Sequence, residues 1–253
     1  MRCADVIRKL EELSPLAYAE SWDNPGLLAG RTDKEIKRIY IAVDATTEAI
    51  AEAESVGADM LLTHHPLIFK GIKKVNSEDF IGRRILTLLQ ADMCYYAMGM
   101  ADAAADELKL QNREVLDITF EDDIAKEGFG RLGDLPYPMT VDECAAYVKE
   151  RFHLQAVKVF GQGSQQLVRA AISPGSGKSM IAPAIGKGAD VLITGDIDHH
   201  EGIDAVEQGM AVIDAGHYGL EKIFVPYLQE YLKRETEGIE IITQGKADPF
   251  RIL

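Results

Sequence analysis

The chain has little of several things that would narrow its function at once. It holds only three cysteines in 253 residues, Cys3, Cys94 and Cys144, far apart and with no C-x-x-C pair. An odd count at such spacing fits neither a disulfide framework nor a zinc finger. Basic residues are scarce, 27 against 41 acidic ones, for a net charge of −14. Phosphate contacts need clustered Lys and Arg, and the densest basic stretch, FKGIKK at 69–74, is short, so a nucleic-acid partner is not expected. No apolar run approaches the length of a bilayer span. The start, MRCADVIRKLEEL, carries charges every few residues and has no apolar signal core. The expectation is a cytoplasmic protein with no membrane contact. Low-complexity tracts are absent too. What is there is ordinary globular composition, 47% hydrophobic and 27% charged, long enough for one large core or two small ones.

Helical spacing occurs over 4–13, 46–56, 78–91, 140–151, 177–187, 199–208 and 217–234. Short apolar or β-branched runs alternate with it, at 38–44, 59–63, 93–98, 156–160, 167–173, 190–194, 210–215 and 239–243. Continuous apolar strands between helices predict an α/β fold with strands buried on both faces. GFGRLGDLPYPMT at 128–140, rich in Gly and Pro, reads as a joint between two halves. The halves resemble each other. IAEAESVGADMLLT at 50–63, laid over IAPAIGKGADVLIT at 181–194, matches at eight of fourteen positions with a constant offset of 131. The expectation is two similar α/β domains, domain I over 1–127, to which the C-terminal segment could also belong, and domain II over 128–253.

Equivalent strand ends then invite comparison. The first copy ends in His64–His65 and Pro66, the second in Gly195–Asp196 followed by His199 and His200. One unit further on, QADMCYYAMGMAD (90–102) lies over QGMAVIDAGHYGLE (208–221), which sets Asp102 against Glu221 and Met98 against His217. His217 and Glu221 are four apart, so a helix starting there presents both on one face, at the sheet edge where α/β proteins bind ligands. Adjacent strand residues point to opposite faces, but at a strand end turned by Pro66 both His64 and His65 can reach one cleft. Asp102 offers a further carboxylate. Three imidazoles and two carboxylates suit one or two borderline divalent ions, such as Zn, Fe, Mn, Co or Ni. Five ligands exceed what one catalytic ion needs, which favours a two-metal site of the kind used in hydrolysis.

SPGSGKSM at 173–180 imitates a phosphate loop, but Ile172 stands where that motif needs its first Gly, so a glycine turn with a capping serine is expected. Trp22 reads as packing beside a turn, and the acidic run at 121–123 as solvated loop.

With these residues identified, the chain resembles the NIF-three-like family, the YbgI-type proteins known as GTP cyclohydrolase I type 2 homologues. The resemblance is carried by SWDNPGLLAG, GADMLLTHHPLIF, GADVLITGDIDHHEGIDAVEQG and DAGHYGLE, in order along nearly the whole chain. It implies two similar α/β domains with a di-metal site in the cleft between them. It also implies a toroidal homohexamer, a trimer of dimers, with the sites facing an internal cavity. Residue by residue, the family's ligands fall on His64, His65, Asp102, His217 and Glu221, with Glu221 as the bridge. His200 matches a histidine that members often carry after the TGDI strand, for which a catalytic role is weighed against that of a partly exposed helix residue. One departure stands out: many members read His-Thr-x-x-Asp where this chain has Met98 to Asp102, and a thioether is a poor ligand for a hard divalent ion. The function implied is a metal-dependent hydrolase of unknown small-molecule substrate. The rival is a ring-shaped metal-handling or partner-binding protein without catalysis.

Overall fold

The computed structural model describes residues 1–253 other than 21, 100, 101, 123–125, 246, 247 and 253. The chain divides into two compact units, one of residues 1–101 with 224–253, the other of residues 102–223.

The first unit runs α1 (Cys3–Leu13), β1 (Gly26–Ala29), β2 (Arg38–Ala42), α2 (Thr47–Ser55), β3 (Met60–Thr63), α3 (Phe80–Gln90) and β4 (Cys94–Ala97). The second contains α4 (Ala103–Glu107), β5 (Gln111–Glu121), β6 (Lys126–Thr140), α5 (Val141–Arg151), β7 (Lys158–Phe160) and β8 (Gln166–Ser176). It continues with α6 (Ile181–Gly186), β9 (Val191–Gly195), α7 (His199–Glu207), β10 (Ala211–Asp214) and α8 (His217–Glu221). The chain then returns to the first unit with α9 (Phe224–Glu235) and β11 (Glu240–Thr243).

The first sheet is ordered β1-β4-β3-β2-β11, parallel throughout except for β1, which runs antiparallel at the edge. Its side chains alternate with a period of two. Ile39, Ile41, Met60, Leu62, Cys94 and Tyr96 pack against Val6 and Leu10 of α1 and Leu228 and Leu232 of α9. Tyr40, Ala42, Leu61, Tyr95 and Ala97 pack on the other face against Ala49, Ile50 and Ala53 of α2 and Ile85 and Leu88 of α3. Two covered faces explain why β3 and β4 read as unbroken apolar runs.

The second sheet is ordered β5-β6-β8-β9-β10-β7, with β8, β9 and β10 parallel and the other pairings antiparallel. Here the Gly/Pro-rich stretch at 128–140 proves to be strand rather than joint. It forms most of β6, and the units divide at 101/102 instead. Glycine serves the strand by proximity: a Cβ on Gly128 would lie 1.9 Å from the Asp117 carbonyl oxygen of β5. The helix expected over 217–234 is broken into α8 and α9, and that expected over 177–187 opens with a 3-10 turn, Lys178–Met180, before α6.

The internal likeness extends into hydrogen bonding at the same offset. Ile39 faces Met60 in one sheet and Ala170 faces Val191 in the other. Asp59 Oδ2 accepts from the amides of Lys37 and Arg38 at 2.8 and 3.0 Å. Asp190 Oδ2 accepts from Val168 and Arg169 at 2.8 Å each. Gly57 and Gly188 turn the chain before each strand with φ of +66° and +72°. The next strand corrects the sequence alignment. The Met98 amide donates to the Thr63 carbonyl and that of Ala215 to the Thr194 carbonyl, so Met98 corresponds to Ala215, not to His217. Nor do Met98 and Asp102 share a helical face. Asp102 precedes α4 at its N-cap position without a side-chain capping bond, while Met100 and Ala101 between them lie outside the described residues.

Trp22 is 58% exposed. In the acidic run, Glu121 ends β5, Asp122 is exposed, and Asp123 lies outside the described residues. Among the described residues no helix is long and apolar enough to cross a membrane.

Candidate metal centre

In the first unit, the chain leaving β3 is turned by a compact set of hydrogen bonds. The amides of His64 and His65 both donate to the Val43 carbonyl, at 3.0 and 3.1 Å. The His65 carbonyl accepts from Thr63 Oγ1 at 2.8 Å and from the Tyr95 hydroxyl at 3.0 Å, and that hydroxyl also takes the Leu67 amide at 2.7 Å. Burial pushes the Tyr95 phenol up to about 12, so it stays a donor. This turn overrides strand alternation and brings the two imidazoles together, ring centroids 4.6 Å apart. His64 Nδ1 lies 3.2 Å from the Met98 carbonyl, which can only accept, so Nδ1 donates there and Nε2 is the atom left to face a metal ion. Met98 thus serves through its backbone, a service any residue supplies. Its side chain is buried in the apolar cluster with Leu62, Tyr96 and Phe224.

In the second unit, β10 ends in Asp214, whose buried carboxylate accepts from the Gly216 and Ile197 amides and pairs with Lys158 Nζ at 2.8 Å. Gly216, with φ of +78°, then starts α8. Gly195 lets this turn approach: a Cβ there would meet the His217 amide nitrogen at 2.4 Å. On α8 the spacing works as expected. His217 Nε2 lies 3.1 Å from Glu221 Oε2, while its Nδ1 lies 2.8 Å from Asp196 Oδ2. Glu221 chiefly, and Asp196 next, hold the His217 imidazolium and raise its pKa to about 9. Glu221 is buried against Gly175, where a Cβ would lie 2.8 Å from Oε1 and 3.7 Å from His217 Nε2. The phosphate-loop imitation is explained by this. Gly175 makes room for the carboxylate, and Gly177 packs on Thr194, which a Cβ would meet at 1.8 Å.

These arrangements decide the family when joined to the comparisons. The sequence profile described as Duf34/NIF3 (NGG1p interacting factor 3) matches residues 1–249. The chain belongs to the Duf34/NIF3 family. One NIF3 relative, from Clostridium perfringens and named GTP cyclohydrolase 1 type 2 homolog, is 30% identical over the whole of both chains. Another of that name, from Streptomyces coelicolor, is 34% identical over 87% of this chain and 81% of its own. Solved NIF3 structures are similar as well. HcgD from Methanocaldococcus jannaschii, solved as the reduced protein, gives a TM-score of 0.81 at 30% identity, covering 96% of this chain and 97% of its own. Staphylococcus aureus SA1388 gives 0.88 at 28% identity, covering 100% and 99%.

Of the residues expected as ligands, His64, His65 and Glu221 form a group that could hold a metal ion. His217 is held between its two carboxylates. Asp102, half exposed, forms an ion pair with Arg131, which also binds Glu127 at 2.9 Å and the Gly128 and Gly130 carbonyls. His200 is exposed on α7, its ring 5.1 Å from that of His199. Sequence reasoning missed Asp196, Gly175 and Arg131. Asp196 alone left a signal, since the offset of 131 sets it against His65.

Proposed function

We propose that this NIF3 protein is a dinuclear metal-dependent hydrolase acting on a small molecule. Two divalent ions, Zn, Fe, Mn, Co or Ni, would be held by His64, His65, Asp102, His217 and Glu221. The observation that carries this reading is the His217–Glu221 pair, oriented by Asp196 and cradled by a glycine without which the carboxylate would be displaced. A carboxylate on the far nitrogen of an imidazole is the arrangement that fixes a histidine ligand's tautomer and basicity. The donor set of imidazole nitrogens and carboxylate oxygens matches borderline divalent ions. Ions bound there supply Lewis acidity and lower the pKa of water. The chain's own residues do the rest. Asp196 keeps His217 aligned, and Glu221 takes part only when His217 gives up the proton the pair holds, so metal uptake releases protons. His200 is a candidate for moving a proton at the substrate.

One observation favours the second reading, a metal-handling protein without catalysis. Asp102 is engaged by Arg131, and a site lacking that carboxylate has fewer ligands for a second ion. Elemental analysis of protein purified without chelator, beside turnover in a broad hydrolase screen, separates the two. Metal with turnover, both lost in Glu221→Ala, supports the hydrolase. Metal without turnover supports the second reading, and no metal uptake from Zn, Mn or Fe refutes both. A cytoplasmic homohexamer, a trimer of dimers, is part of the proposal. Sedimentation at a smaller mass would remove it.

A further inference from the structure

A cavity of about 380 Å³ opens in the first unit beside His65, within the size range of small-molecule sites. The segments that follow β2 and β3 form one side of it, through Asp44, Ala45, Thr46 and the His65–Phe69 turn. Ile81 and Arg84 of α3 form the other. Its position is that of ligand sites in α/β sheets, at the carboxyl ends of parallel strands.

Two features of its lining point to a ligand. Asp44 and Arg84 are both half-buried, carry opposite charges and line the same cavity, yet they form no ion pair with each other or, among the described residues, with any other charged side chain. Arg84 spends one donor, Nε, on Thr47 Oγ1 at 3.1 Å, and its guanidinium stacks 5.1 Å from the Phe80 ring centroid. That fixes the fork, and among the described residues no hydrogen bond engages its terminal NH groups. Half-buried charges left apart are unfavourable unless something of matching polarity comes between them. The remaining wall is apolar, with Leu67 buried, Ile81 half-buried and Phe69 50% exposed at the rim.

We infer that this cavity anchors the substrate beside the metal centre. It takes a small organic molecule bearing an oxyanion, carboxylate or phosphate, for Arg84, an N–H donor for Asp44, and an apolar portion for Leu67, Phe69 and Ile81. A planar fork recognises either oxyanion through paired hydrogen bonds. Asp44 disfavours further acidic groups, so the ligand carries one acidic group and a donor rather than several acidic groups. The inference rests on the hydrolase reading for its meaning, since His65 belongs to both sites, but not for its test.

The test is calorimetric titration of two probes into zinc-treated protein. Hippurate has a carboxylate, an amide N–H and a phenyl ring, while phenyl phosphate has the other oxyanion and no N–H. Wild type is compared with Arg84→Gln, Arg84→Lys and Asp44→Asn, each checked for native circular dichroism and zinc content. Arg84→Gln should weaken the bound probe by roughly tenfold or more, with Arg84→Lys intermediate. Asp44→Asn should weaken hippurate and spare phenyl phosphate. Whichever probe binds more tightly identifies the oxyanion. If zinc is bound but neither probe binds, or if Arg84→Gln binds both as wild type does, the anchoring site is refuted while the metal reading stands. If zinc fails to bind but hippurate binding still depends on Arg84, the site stands and the metal reading falls.

Discussion

Replacing Gly175 by alanine separates backbone strain from ligand positioning, because the structure supplies a matched control. Gly175 has φ of +76° and Gly188 has φ of +72°, so alanine at either is strained to the same degree. That strain is about 1–2 kcal/mol, or a fall in Tm of about 2–8 °C for a protein of this size. The surroundings differ. A Cβ at Gly188 meets nothing within 4 Å, whereas one at Gly175 would lie 2.8 Å from Glu221 Oε1, closer than real Cβ contacts come. Glu221 is 4% exposed and has little room to yield, so its carboxylate must move and the 3.1 Å contact with His217 must loosen. Disturbing a ligand's support typically lowers metal affinity by about 10–100-fold. The expectation is that Gly175→Ala loses at least as much thermal stability without metal as Gly188→Ala, the excess measuring the displaced carboxylate, and that Gly175→Ala alone loses zinc affinity in competition with a chromophoric chelator. Equal zinc affinity in the two variants would refute the reasoning that Gly175 shapes the carboxylate.

In metal-free protein the His217 imidazole should titrate near 9 by NMR, held up first by Glu221 and then by Asp196. Because its folded pKa is raised, the stability it contributes is complete below its ordinary value of 6.5 and is lost as pH climbs through about 9. Glu221→Gln should bring the titration down, and a wild-type value near 6.5 would contradict the assignment. Asp190→Ala strands the Val168 and Arg169 amides and should lower stability in urea by about 2–3 kcal/mol, as should Asp59→Ala in the other unit. A loss under half a kcal/mol in both, on the order of ordinary surface changes, would show these bonds to be replaced by water. Arg131→Met releases Asp102, and should raise the zinc retained per chain after gel filtration; unchanged retention would mean that Arg131 does not compete with metal.

Much of this was legible because it is local. The strands buried on both faces announce themselves as apolar runs, and His217 and Glu221 by their spacing on one helical turn. The long β5–β6 pair was not legible. QNREVLDITFE is exposed along much of its length and β6 is mostly half-buried, so no apolar period marks them. The glycines that let them cross closely have the composition of a loop. Apolar spacing also runs on through 217–234, and the break between α8 and α9 is signalled there only by Pro226, which sits in the first turn of α9. The partners of the proposed ligands were beyond reach for another reason. Arg131 meets Asp102, and Asp196 meets His217, through strand order, which no local spacing encodes. Aligning Met98 with His217 failed because the match was anchored on Asp102 and Glu221, 119 apart, whereas the strand hydrogen bonds pair Met98 with Ala215, 117 apart.

The way the first unit is threaded has a consequence for synthesis. Residues 102–223 form a continuous unit, whereas the first unit lacks α9 and its edge strand β11 until residues 224–253 are made. Domains fold as units when the ribosome releases them, at about 5–20 residues per second. The half that begins first is therefore finished last. Its face of Ile39, Ile41, Leu62 and Tyr96 waits for Leu228 and Leu232 while the later half can already be complete. Nascent chains stalled before residue 224 should be captured by chaperones through that face, and the last stretch to emerge ends their exposure.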